Sequence, residues 1–115
     1  MSRVTNVILT TNVGPSHGGD PEIDTVNTSL RNAITGPNGE FVEVSRHAGG
    51  AKHMEVRVYL AAFNHVDAEV ILQAVHHVPW ADIEMVQVFI KEQEDEVFEL
   101  RYQAGKFLPK RHAAT

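Results

Sequence analysis

Apolar residues along this chain recur with two different spacings, and the order in which those spacings follow one another restricts the architecture. Residues Val4 to Thr11, VTNVILTT, are β-branched and too few for a helix, so they read as a strand with Val7 and Leu9 on one face. In DPEIDTVNTSLRNAITGP, Ile23, Val26, Leu30, Ala33 and Ile34 fall on one helical stripe. Asp20 occupies the N-cap position, Pro21 the first helical position, and Gly36-Pro37 the stop. A second strand is expected in EFVEVSRH, where Phe41 and Val42 alternate with Glu40, Glu43 and Ser45. It runs by a hairpin across HAGGAK into HMEVRVYLAAF, which carries the strongest two-residue period in the chain. The stretch NHVDAEVILQAVHHVPW then predicts a helix with Ile71, Ala74, Val75 and Val78 inward, Glu69, Gln73 and His76 outward, and Pro79 at its close. Trp80 follows and is expected to close the core. Finally DIEMVQVFIK and EVFELRY predict two strands joined by the acidic turn EQED.

The order is β-α-β-β-α-β with one further β. It predicts an α+β fold: a ferredoxin-like βαββαβ two-layer sandwich with an additional C-terminal β-hairpin strand. Many unrelated functions share that arrangement, so it says little about activity. Its two helices cover one sheet face and leave the other open. If Met54, Val56, Val58 and Leu60 face the helices, then Glu55, Arg57, Tyr59 and Phe63 face away; on the next strand Val86, Val88 and Ile90 inward put Met85, Gln87 and Phe89 outward. The open face is then partly aromatic, with Tyr59, Phe63 and Phe89 as candidate partner-binding residues. A slip of one residue would turn every one of these side chains over.

At 115 residues the chain has room for one ordinary domain, expected over 1–104, followed by a basic and flexible tail at 105–115. Apolar residues at 43% and charged residues at 22% are ordinary globular values, which argues against disorder. With no cysteine, disulfide scaffolds, thiolate zinc sites and cysteine nucleophiles are excluded. The apolar run near the N-terminus is far too short for a signal-peptide core or a spanning helix, so a cytoplasmic, soluble protein without membrane contact is expected.

The net charge of −5 is unevenly spread. Asp82, Glu84, Glu92, Glu94, Asp95, Glu96 and Glu99 face a single base, Lys91, within residues 82–99. From residue 100 onward there are four bases, Arg101, Lys106, Lys110 and Arg111, and no acid. An acidic hairpin followed by a basic tail can steer a charged partner, which makes Glu92, Glu94, Asp95, Glu96 and Glu99 candidates for partner binding.

Sites for chemistry are weakly signalled. In NVGPSHGGDPEID the two glycines Gly14 and Gly19 have phosphate-loop spacing, but Asp20, Pro21 and Glu22 place negative charge and a missing N–H where the anion would sit. His17 and Asp20 could touch a ligand, with His47 and His53 as further candidates, but none of the seven histidines has a metal-binding spacing. No cofactor and no metal are expected. The aromatic and basic pattern of an RNA-recognition strand is missing from HMEVRVYLAAF, and the chain is acidic, so nucleic acid is not an expected partner.

Two functions follow. One is a non-catalytic interaction protein, such as an inhibitor, immunity-type or adaptor domain, that binds another protein through the acidic hairpin, the open sheet face or both. The other is a small cofactor-independent enzyme or ligand-binding homodimer of the dimeric α/β-barrel type, paired through that same face.

Overall fold

The β-branched segment Val4–Asn12 forms strand β1 at the middle of a sheet, with Thr5, Val7, Leu9 and Thr11 buried on one side. The protein is described by a computed structural model over residues 3–12, 21–34, 38–52 and 54–111. Helix α1 (Pro21–Ala33) follows, then the short strand β2 (Val42–Glu43), strand β3 (Val56–Asn64) and helix α2 (Ala68–His76). Strands β4 (Gln87–Glu92), β5 (Glu99–Gln103) and β6 (Lys106–Phe107) complete a mixed α+β domain. The six strands form one antiparallel sheet in the order β2-β3-β1-β4-β5-β6.

Both helices press their apolar stripes onto one face of that sheet. Ile23, Val26 and Leu30 of α1 join Ala68, Ile71, Leu72 and Val75 of α2 in a single core. Opposite them, β1 contributes Val7 and Leu9, β3 contributes Tyr59 and Phe63, and β4 contributes Val88 and Ile90. Trp80 closes this core, 8% exposed, with its indole N–H donating to the Val75 carbonyl at 2.8 Å. The hydrogen bond satisfies the polar end of a side chain whose area belongs inside.

Two asparagines fix the chain between α1 and β3. The Asn27 amide donates to the Phe41 carbonyl and accepts from the Phe41 N–H, which ties α1 to the residue before β2. Asn38 does the same for Asn64 at the end of β3 and also accepts from the Gly39 N–H. Gly39 thereby passes so near β3 that a Cβ would run into the Ala62 carbonyl oxygen.

Several sequence expectations need correction. The second strand is shorter than EFVEVSRH: only Val42 and Glu43 pair, and Ser45–His47 turn into a 3-10 helix. There the Ser45 hydroxyl, buried, accepts from the Val58 N–H and donates to Glu43, and β2 and β3 pair as the expected hairpin across a longer connection, residues 44–55. His76 does not point to solvent; its Nδ1 shares a hydrogen bond of 2.9 Å with the Tyr102 hydroxyl beneath the ring of Phe107. The Asp20 cap and the Gly36-Pro37 stop lie outside the described residues.

The largest correction concerns β3. Tyr59 is 2% exposed and Phe63 fully buried, so these two rings face the helices, and Val56 and Leu60 face away. An aromatic side chain buries 150–250 Å², more than valine or leucine, so the core takes the face that carries the rings. On β4 the inward set is Val88 and Ile90, with Phe89 on the open face.

Candidate functional site

Because β3 presents aliphatic residues outward, the open face of the sheet is apolar along a line crossing five strands. Val42 stands opposite Leu60, Leu60 opposite Ile8, Ile8 opposite Phe89, and Phe89 opposite Leu100. Directly opposed side chains in a sheet have Cβ atoms about 4.5–5.5 Å apart, so these five form one continuous row. Val42 is 55% exposed and Leu60 43%, while Ile8, Phe89 and Leu100 are half-buried by their neighbours.

Polar and small residues flank the row. On one side Ala62, Asn6 and Lys91 are in register; on the other, Val58, Thr10 and Gln87. The Asn6 amide donates to the Lys91 carbonyl and the Thr10 hydroxyl reaches Gln87, so these side chains are tied down on the sheet surface. Over this floor runs a groove of about 570 Å³ whose floor includes Ile8, Leu60 and Ala62 and whose walls are Glu40 and Phe98. An apolar strip with a polar rim is the composition of a protein-binding surface.

The acidic hairpin has a different character. A bulge between Val88 and Phe89 leaves Arg101 as an extra residue on β5, and its backbone and guanidinium exchange hydrogen bonds with Leu108. Of the segment expected to leave the domain at residue 105, Lys106–Phe107 pairs as β6, and residues 108–111 run back along the hairpin. Lys110 Nζ lies 2.9 Å from Glu92 and 2.8 Å from Asp95, and the Arg111 N–H donates to Glu99 at 2.7 Å. Asp95 also accepts from the Glu92 N–H, and its carboxylate is only 6% exposed. Burial works to raise the Asp95 carboxyl, but the Lys110 ammonium and the backbone N–H outweigh it and hold it below the usual carboxylate value. The same two carboxylates raise the Lys110 ammonium against its own burial.

Of the hairpin acids, then, Glu92, Asp95 and Glu99 are engaged within the chain, and Glu94 and Glu96 remain exposed with no hydrogen bond or ion pair to other described residues. Tyr59 and Phe63 are withdrawn into the core, while Phe89 lies in the open-face row. His47 is exposed at the end of the 3-10 turn, and His17, Asp20 and His53 lie outside the described residues. Among the described residues no group of three His, Asp or Glu side chains could hold a metal ion, and no helix is long and apolar enough to cross a membrane.

Residues of the surface that sequence reasoning missed are Ile8, Val42, Leu60, Phe98 and Leu100. The available signal was in β3 itself: VRVYLAAF is apolar at both parities, the pattern of a strand covered on two faces. Comparison with family models, curated proteins and solved structures finds no match to this chain.

Proposed function

We propose that this is a non-catalytic interaction domain that binds protein through the open face of its sheet. The single observation that carries the reading is the row Val42, Leu60, Ile8, Phe89, Leu100, apolar across five strands and bordered by Asn6, Lys91, Thr10 and Gln87. Isolated surface hydrophobics are ordinary, but a contiguous strip with a polar rim marks an interaction site. The acidic hairpin is secondary: Lys110 and Arg111 already occupy three of its carboxylates, leaving Glu94 and Glu96 exposed.

The finer fold assignment belongs to the same proposal. β3 lies between β1 and β2, and β1 between β3 and β4, with one helix in each crossover. That arrangement supports a ferredoxin-like split βαβ core extended at one edge by β5 and β6.

Differently tagged wild-type protein, Leu60→Glu and a Glu94→Lys, Glu96→Lys double variant test the reading in affinity capture, followed by titration of the purified partner. Binding should be lost with Leu60→Glu and survive in the double variant. Binding that survives Leu60→Glu and vanishes with the hairpin variant would move the site to the hairpin.

A further inference from the structure

Resting on that reading of the open face, we infer that its occupant is a second copy of this chain, related by a two-fold axis parallel to the strands and midway between β1 and β3. The inference comes from the order of residues across the sheet. Counting outward from such an axis, Leu60 and Ile8 are the first pair and Val42 and Phe89 the second. Rotation by 180° therefore lays Leu60 on Ile8 of the second copy and Val42 on its Phe89, so the four inner positions of the row each meet an apolar position. Leu100 comes down beyond Val42 of the second copy, and the exposed ring of Phe98, which lines the groove with Asn6 and Ala62, continues the flanking row.

The flanking row decides the choice of axis. There the order is Glu40, Ala62, Asn6, Lys91, with Glu40 two residues before Val42 and flanking Ala62 in the groove. The same rotation lays Ala62 on Asn6 and Glu40 on Lys91 of the second copy, twice per dimer. Sheets packed face to face lie about 10 Å apart, a gap that a lysine and a glutamate reach across together. The other two-fold in the plane of the sheet, directed along the apolar row, would set Lys91 over Gln87 and Glu40 over Val44 and leave neither charge an opposite charge across the interface. Isologous contact requires this self-complementarity, and of these two axes the first supplies it for the charged pair.

Glu40 is already 3.7 Å from Arg31 of α1 and also borders the cleft against that helix, but both side chains are more than half exposed and the pair holds Glu40 weakly, so closure turns its side chain from the helix side to the open face. On closure the two charges at the rim exchange a solvated environment for one partly screened from water by the apolar row, where a direct pair fixes the register of the two sheets. The outer residues of β3, Val56, Val58, Leu60 and Ala62, then acquire the second covering layer that their composition calls for.

Sedimentation across a concentration series, with Glu40→Lys, Lys91→Glu and their combination, tests the inference. Wild type should sediment as a dimer, and each single substitution should weaken self-association at least tenfold, because it creates two like-charge contacts. The double variant, whose charges are exchanged, should return to within about threefold of wild type. An equimolar mixture of the two single variants should form a heterodimer, since each presents the charge the other lacks. Leu60→Glu should be monomeric with an unchanged circular dichroism spectrum. A wild type that stays monomeric to about 1 mM overturns the second copy; if capture of another protein is still abolished by Leu60→Glu, the open face stands as the site, and if it is not, that reading falls as well. A dimer indifferent to both single substitutions overturns the proposed axis.

Discussion

Replacing Lys110 with Met should release the C-terminal segment from the hairpin at a cost set by two charge-assisted hydrogen bonds. Lys110 Nζ donates to Glu92 at 2.9 Å and Asp95 at 2.8 Å, and the three side chains are 25%, 23% and 6% exposed. Hydrogen bonds to charged groups contribute about 1.5–3 kcal/mol, exposed ion pairs under about 1 kcal/mol, and this cluster lies between, so Lys110→Met should cost about 2 kcal/mol. Asp95→Asn keeps an acceptor for the Glu92 N–H and removes the charge. In a double-mutant cycle by urea denaturation the pair should show a coupling of about 1 kcal/mol. The pH dependence has a definite sign. Asp95 titrates below its ordinary 3.8 in the folded protein, so its contribution is present above that value and is lost as pH falls through the lower folded-state value. Lys110 titrates above its ordinary 10.5, so its contribution is present below that value and is lost as pH rises past the folded-state one. The stability gap between wild type and Lys110→Met should therefore be widest from about pH 5 to 10 and close at both ends. A coupling under about 0.3 kcal/mol, or a gap constant through acid, would refute the argument.

Three further outcomes follow from local geometry at single residues. Gly39→Ala should destabilise by about 1–3 kcal/mol in denaturant titration, because its Cβ meets the Ala62 carbonyl oxygen and backbone must move; unchanged stability would place Gly39 farther from β3. Trp80→Phe should cost about 1 kcal/mol and lower Tm by a few degrees, since the hydrogen bond to the Val75 carbonyl disappears while most of the buried ring area remains. Ala104 has φ +52° in the β5–β6 turn, so Ala104→Asn should raise stability by about 0.5 kcal/mol, as asparagine tolerates the left-handed region better.

What could be read from the sequence depended on how unambiguous each segment's period is. Helix α1, with Ile23, Val26 and Leu30 inward, is apolar on one side only, and the structure buries those residues. Strands β1 and β4 bury Val7, Leu9, Val88 and Ile90 as expected, although each also carries an apolar residue, Ile8 or Phe89, on the open face. Strand β3 has two apolar parities, and a period of two cannot choose between them. Counting Val56, Val58 and Leu60 favours one side; weighing the larger areas of Tyr59 and Phe63 favours the other, and area governs burial. The candidate surface inherited this error, so Phe89 was found while Leu60 and Val42 were not. The tail's return was invisible for another reason. It depends on a bulge that places Arg101 against Leu108, and only that three-dimensional clamp delivers Lys110 to Glu92 and Asp95.

The chain has no cysteine, so single thiols can be placed on either face of β3 without interference. Thiol labelling of Leu60→Cys and Phe63→Cys over a dilution series tests the central claim, an open aliphatic face that another chain covers, most directly. Leu60→Cys should label at close to the unfolded-chain rate when dilute and become protected as concentration rises, while Phe63→Cys stays protected throughout. Rapid labelling of Phe63→Cys with Leu60→Cys protected at every dilution would contradict the account, because it would turn β3 over and remove the apolar row.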